Sequence, residues 1–168
     1  MDANFNEVIL SLGSNLGSRS YYLNKAINLL KAEFDSSFKV SNFYESEPWG
    51  FESNNNFLNC CVCFLTAKTP LEILEITQGI EKKIGRKSKT KENNYKSRII
   101  DIDIIFIGDM LIKSKELTVP HPYLYHRNFV LIPLLEIYPN WIDISTGKTI
   151  EELLKSSKDN SKIKIYNP

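Results

Sequence analysis

Net charge is nearly absent from this sequence, in which Lys and Arg total 21 against 20 Asp and Glu over 168 residues. Without a global field of either sign, neither nucleic acid nor an anionic membrane is drawn in from a distance, and any recognition of phosphate has to be local. Long apolar runs are lacking as well. No stretch approaches the roughly 20 residues of a membrane span, and no charged n-region leads into an apolar segment at the start. The expectation is a cytoplasmic protein with no membrane partner. Cysteine is scarce, and Cys60, Cys61 and Cys63 crowd into one apolar run where neighbours cannot bridge with ordinary disulfide geometry. They read as buried thiols in a reducing compartment, because a zinc site wants separated ligand pairs and His121 and His126 lie far off in sequence. Repeats and low-complexity linkers are also missing. One domain over residues 1–168 is expected, and its 42% hydrophobic content can build a core without disulfide or metal staples.

What is present alternates between strand and helix signals. Residues 8–12 are nearly continuous apolar residues ending at Gly13, the pattern of a strand buried on both faces. Leu23, Ala26, Ile27, Leu30 and Phe34 then recur at helical spacing. Residues 38–44 read as a second strand, residues 45–56 as a long polar and aromatic loop, and residues 57–65 as a third strand. Thr69, Pro70 and Glu72 combine a capping box with proline at the first helical position, so a helix starts there, carrying the stripe Ile73, Ile76, Ile80 and Ile84 to a stop at Gly85. A basic loop occupies residues 86–98. Residues 99–107 form the most β-prone stretch, followed through Gly108 and Asp109 by a weaker hairpin reaching Val119. Residues 129–137 suggest a helix, with Pro133 acceptable only near its first turn. Thr149 and Glu152 cap a last short helix that turns Leu153 and Leu154 inward. The order strand, helix, strand, strand, helix, strand predicts an α+β fold: a ferredoxin-like split βαβ sheet with helices packed on it, plus an added C-terminal hairpin and helices.

Several residues can carry chemistry. Asp101 and Asp103 stand two apart in a strand, so their carboxylates share one face while Ile100, Ile102 and Ile104 take the other. Two hard oxygen donors aimed at one place suit Mg²⁺ completed by phosphate and water, although the solvated face of an edge strand carries the same pattern. Arg98 precedes the pair, and Arg86, Lys87, Lys89, Lys91 and Lys96 share its loop, enough charge to meet a polyphosphate or simply to face solvent. Gln78 and Glu81 are neighbours on one flank of the second helix, displaced from the isoleucines. His121 is held between Pro120 and Pro122, with Arg127 six residues on. The turn GSNLG, residues 13–17, falls between a strand and a helix, a place for phosphate, but it has neither the lysine nor the spacing of a Walker motif.

Taken together, SRIIDIDIIF at residues 97–106 and LTVPHPYLYHRNFVLIPLLEIYP at residues 117–139 closely resemble the 6-hydroxymethyl-7,8-dihydropterin pyrophosphokinases of folate biosynthesis. GSNLG, FYESEPWG at residues 43–50 and FLNCCV at residues 57–62 match the same family in the same order. The resemblance implies transfer of diphosphate from ATP, the co-substrate, to the hydroxymethyl group of 6-hydroxymethyl-7,8-dihydropterin, by a monomer that binds ATP first and no nucleic acid. It implies that Asp101 and Asp103 hold two Mg²⁺ ions, with Asp101 also touching the pterin. Gln78, Glu81, Arg98, Thr118, His121 and Arg127 match positions around ATP. Ser46, Trp49, Phe57, Asn59 and Phe129 match the pterin pocket, with the two phenylalanines sandwiching the ring and Asn59 bonding its edge. Arg86, Arg98 and His121 would stabilise the charge that shifts during transfer. Tyr95, Lys96 and Ser97 stand where the family often has Trp, Gly and Pro, and Glu116 stands where some members place Arg.

Residues 45–56 and 86–95 lack periodicity and flank these positions, so both loops are expected to close over the substrates. Two other classes compete with the enzyme: a noncatalytic nucleotide or pterin sensor, and a ferredoxin-like nucleic-acid-binding module. Two acids on a central strand and the lack of an RNP-like aromatic run oppose the second.

Overall fold

The apolar run that begins the chain's regular structure becomes β1 (Asn6–Ser14), whose residues from Val8 onward are all buried because strands flank it on both edges. The structure is a computed structural model describing residues 5–86 and 97–168. Helix α1 (Arg19–Phe34) follows and packs Leu23, Ala26, Ile27, Leu30 and Phe34 inward, ending at Asp35 in the left-handed conformation.

The expected second strand is two short pieces, β2 (Lys39–Val40) and β3 (Tyr44–Ser46), both antiparallel to β4 (Phe57–Thr66). Val40 pairs with Val62 but Tyr44 pairs with Asn59, so three residues, 41–43, stand opposite two, Cys60 and Cys61. This is a bulge. It is held by Ser41, whose N–H donates to the Cys61 carbonyl at 3.0 Å while its Oγ accepts from Cys61 N at 3.0 Å. The displaced Asn42 donates its backbone N–H (3.1 Å) and Nδ2 (2.9 Å) to Glu136, which also takes the Tyr44 hydroxyl at 2.7 Å. Burial and the hydrogen bond to Glu136 push the Tyr44 hydroxyl up to about 12.

Helix α2 (Pro70–Ile84) has the complete Thr69/Glu72 capping box and stops at Gly85, which has φ 121°. Its buried stripe differs from the one expected: Ile76 is half-buried, and Thr77 and Glu81 join Ile73, Ile80 and Ile84 inside. Strand β5 (Asp101–Ile107) leads to a separate two-stranded hairpin of β6 (Ile112–Lys113) and β7 (Thr118–Val119). After a short 3-10 turn over Leu124–His126 comes α3 (Asn128–Ile137). Pro133 lies in its second turn, beyond where the sequence suggested it would be tolerated. It forfeits the bond its N–H would have given the Phe129 carbonyl, while its ring is buried beside Val130 and Leu134. The Thr149 box starts α4 (Ile150–Ser156), and β8 (Ile163–Ile165), which the sequence did not reveal, pairs with β3.

The main sheet runs β5-β1-β4-β3-β8, with β2 also on β4 and every pairing antiparallel. Omitting the added β8, this is the split βαβ order, an α+β fold. α1 and α2 cover one face, and α3 covers the other beside Cys61, whose thiol donates to the Val130 carbonyl at 3.6 Å. The cysteines are free, as expected, and burial raises all three thiols, Cys63 to about 12. No helix among the described residues is long and apolar enough to cross a membrane.

The capping carboxylates make acid sensitivity predictable. Bonds from the Thr69 backbone and hydroxyl hold Glu72 below its ordinary value, and Thr149 does the same for Glu152. A carboxyl lowered in the folded state adds stability above its unfolded pKa and loses it as pH falls through the folded one. Replacing both with Gln should therefore flatten the decline of the thermal midpoint between about pH 5 and about pH 3. A decline as steep as that of the unmodified protein would show that the caps contribute nothing there.

Candidate active site

Cross-strand register gathers residues that the sequence scatters. Asp101 lies opposite Gly13 on β1, and Gly13 lies opposite Asn59 on β4; Asp103 likewise faces Ser11, and Ser11 faces Cys61. Ser46 pairs with Phe57 one strand further. Gly13 leaves little room for a side chain, since a Cβ there would stand 3.0 Å from Asn59 Oδ1 and would press on that amide.

These residues floor a cleft that opens to solvent. Phe57, Phe129, Trp49 and Phe51 form its aromatic walls, with Phe51 edge-on to Phe57 at 6.1 Å. Ser46 and Asn59 form a polar floor, tied by Asn59 Nδ2 donating to Ser46 Oγ at 2.8 Å. Asp101, Asp103, Arg98 and Arg127 close one end. Phe129 is placed by the residue before it: Asn128 N donates to Asp159 Oδ2, and Asn128 Nδ2 to the Asp159 carbonyl, both at 2.8 Å. A second recess runs along the outer edge of β5, lined by Leu74, Ile102 and Ile104 on one side and Thr118, His121 and Glu116 on the other. Asp103 lines both recesses.

Each aspartate meets cationic side chains. Asp101 Oδ1 accepts from Arg86 at 2.5 Å and Oδ2 from Arg98 at 2.9 Å. Asp103 Oδ2 has Arg127 at 3.5 Å and His121 Nε2 at 3.8 Å. His121 Nδ1 accepts the Tyr123 N–H at 3.1 Å, which leaves the proton of the neutral ring on Nε2, toward Asp103. The His121 backbone is itself anchored, donating to the Ile105 carbonyl at 2.8 Å.

Glu81 departs most from the flank position expected of it. It is 2% exposed, and its Oε1 accepts from Ile102 N on the edge of β5 at 2.8 Å and from Arg86 at 2.5 Å. Burial opposes the charge on Arg86, but Asp101 and Glu81 outweigh it and raise the guanidinium above its ordinary value. Gln78 is half-buried, and it is Leu74, one turn earlier on α2, that lines the outer recess. The GSNLG turn acts as a tie. Asn15 Nδ2 donates to Ser97 Oγ (3.0 Å) and the Asn55 carbonyl (3.3 Å), and Oδ1 accepts from Arg98 N (2.7 Å), fixing the segment that carries Arg98.

Ser11, Gly13, Glu47 and Phe51 also line the cleft, though sequence reasoning did not single them out there. Alternation along the first strand was the available signal for the first two; Glu47 and Phe51 carried none. Of the two expected closing loops, residues 45 and 46 belong to β3 and Trp49 rests near Arg127. Residues 87–95 of the second loop, Tyr95 included, lie outside the described residues, as does Lys96.

The sequence profile of the family described as 7,8-dihydro-6-hydroxymethylpterin-pyrophosphokinase (HPPK) matches residues 9–139. A 2-amino-4-hydroxy-6-hydroxymethyldihydropteridine pyrophosphokinase from Aquifex aeolicus is 45% identical, covering 86% of this chain and 88% of its own. Enzymes of the same name are 43% identical in Porphyromonas gingivalis, over 80% of this chain and 92% of theirs, and 42% identical in Bacillus subtilis, over 79% and 78%. Among solved structures, Plasmodium falciparum HPPK-DHPS shares the fold at TM-score 0.69 and 17% identity, covering 90% of this chain. The chain spans 44% of that larger protein.

Glu81 offers a direct test of how the site is held. Glu81→Ala leaves Arg86 and the Ile102 N–H without their buried acceptor and should lower the unfolding free energy by about 3 kcal/mol in urea denaturation. Glu81→Gln keeps an oxygen for Ile102 and should cost less. Equal stability of Glu81→Ala and the unmodified protein would remove the carboxylate from its supporting role.

Proposed function

This chain belongs to the 7,8-dihydro-6-hydroxymethylpterin-pyrophosphokinase family, and from that premise we propose that it transfers diphosphate from ATP to 6-hydroxymethyl-7,8-dihydropterin, releasing AMP. The observation that carries the assignment of substrates to places is Asp103, which lines both recesses. A flat heteroaromatic ring gains from the aromatic walls at Phe57 and Phe129 and from the amide of Asn59 at its edge. The pterin therefore occupies the cleft and ATP the groove along β5, so their reacting groups meet at the two aspartates.

The donor set fits magnesium. Asp101 and Asp103 are hard oxygen ligands on one strand face, with side chains 22% and 29% exposed, open to solvent and phosphate. Asp101 and Asp103 would hold Mg²⁺, and phosphate oxygens and water would supply its remaining ligands. We assign two Mg²⁺ ions to this pair. Bound there, Mg²⁺ supplies compact positive charge that offsets the phosphates and acidifies a nearby hydroxyl.

The remaining chemistry belongs to the side chains. The pterin hydroxymethyl oxygen attacks the β-phosphorus in line, the bond from that phosphorus to the α–β bridging oxygen breaks, AMP leaves with that oxygen, and the hydroxyl proton passes to solvent. Arg86 and Arg98, now on Asp101, and Arg127 and His121, now beside Asp103, surround the transferred group with donors. Their role is positioning and charge stabilisation. The aromatic walls exclude water, which would otherwise hydrolyse ATP. We place Thr118 in the nucleotide groove, Glu81 behind the phosphate-facing Arg86, and Gln78 outside the first contacts. We take the unit as a single domain over residues 1–168, a reading supported by the hydrophobic core that the described residues form from Val8 to Leu153, and we propose that it acts as a cytoplasmic monomer.

AMP release measured with and without the pterin alcohol tests the whole reading, and AMP formed only when the alcohol is present is expected. Binding of both ligands without AMP would identify a sensor instead. Asp101→Asn and Asp103→Asn should each fold yet lose at least about a hundredfold in turnover. Phe129→Ala should weaken pterin binding by about tenfold or more and leave binding of a nonhydrolysable ATP analogue within about threefold. Equal losses for both ligands in calorimetry would remove Phe129 from the pterin wall.

A further inference from the structure

Arg127 lines the cleft beside Asp103, and its guanidinium is surrounded by rings. It lies 4.6 Å from the Trp49 ring centroid, 5.0 Å from Tyr123 and 5.7 Å from Phe129, with Nη1 3.5 Å from Asp103. Trp49 and Phe129 line the cleft; Tyr123 does not, and it is 39% exposed. A large ring so exposed is ordinarily a surface accident. Besides Arg127, this one meets two groups of the site: its ring is 5.6 Å from Trp49 and 6.0 Å from His121, and its backbone N–H is the donor that fixes His121 Nδ1.

We propose that Tyr123 is a positioning residue that holds Trp49 against Arg127, so that the loop over residues 47–56 and the arginine facing Asp103 are set as one unit before substrate arrives. Residues 47–56 contain neither helix nor strand, so the loop depends on side-chain anchors for its placement. Trp49 is the anchor that reaches across the cleft. A planar guanidinium accepts aromatic faces on both sides, and each face adds attraction that grows as water is excluded. Removing the Tyr123 ring strips one face from Arg127 and the neighbouring ring from Trp49. The cost of ordering the loop then falls on pterin binding, because a ligand that must organise its own wall binds more weakly. Arg127 keeps Asp103 and Phe129, so the nucleotide side changes less.

The inference rests on the reading of the cleft as the pterin site, and the two are separable. The chain has two tryptophans, and Trp141 is 8% exposed, so acrylamide quenching of the ligand-free protein reports chiefly on Trp49 whatever the cleft binds. Tyr123→Ala should raise the quenching constant, weaken pterin binding roughly three- to thirtyfold, and leave affinity for a nonhydrolysable ATP analogue within about threefold. Tyr123→Phe, which keeps the ring, should restore both quenching and pterin affinity. Wild-type quenching and wild-type pterin affinity in Tyr123→Ala would overturn the proposal. So would equal losses for both ligands together with a lowered thermal midpoint, the signature of a structural role. If Phe129→Ala bound pterin like the unmodified protein, the cleft assignment would fail, while the quenching comparison would still decide whether Tyr123 holds Trp49.

Discussion

A carboxylate taken out of water must be paired, and in this protein that constraint falls on Glu81. Its Oε1 receives the N–H that β5 presents at the sheet's open edge and the guanidinium of Arg86. One buried oxygen therefore joins α2 to β5 and delivers Arg86 to Asp101. Loss of the edge N–H or of the arginine would leave part of that buried charge without its acceptor bonds in low dielectric, which is expensive. The edge position of β5 also leaves room for the groove beside it, so the same strand supplies the acids and one wall.

The site is built from pairs of opposite charge that a substrate can rearrange. Asp101 faces Arg86 and Arg98, Asp103 faces Arg127, and under the proposed function a triphosphate would compete for those same arginines. Planar guanidinium groups can pass from carboxylate to phosphate because both acceptors offer matching oxygens. An arrangement of this kind keeps the acids satisfied, and in the proposed reaction it would place cations beside phosphate.

Packing reinforces the electrostatics. The bulge at residues 41–43, held by Glu136 from α3, sets the start of β3, while Asp159 holds Asn128 at the start of α3. Ser46 and Phe129, which both line the cleft, are thus placed by contacts outside it. The added β8 pairs residue by residue with β3, Tyr44 with Ile165 and Ser46 with Ile163, extending the sheet past its split βαβ core.

Local signals in the sequence determined a good part of this. The Thr69 and Thr149 capping boxes start their helices where the motif places them, because both hydrogen-bonding partners lie within one turn. Alternation in β5 was enough to put Asp101 and Asp103 on one face, since a strand's side-chain period is two regardless of what it packs against. Tertiary structure decided the rest. Residues 41–43 bulge because Ser41 and Asn42 find partners on β4 and α3, and three-residue β8 exists only because the edge of β3 is there to receive it. Glu81 read as a polar residue on the helix flank, displaced from the isoleucine stripe, and it is buried, with its Oε1 accepting from Ile102, 21 residues away, and from Arg86. Helical spacing records which side of a helix a residue occupies; whether that side meets water or an unpaired N–H depends on a strand the helix has yet to meet.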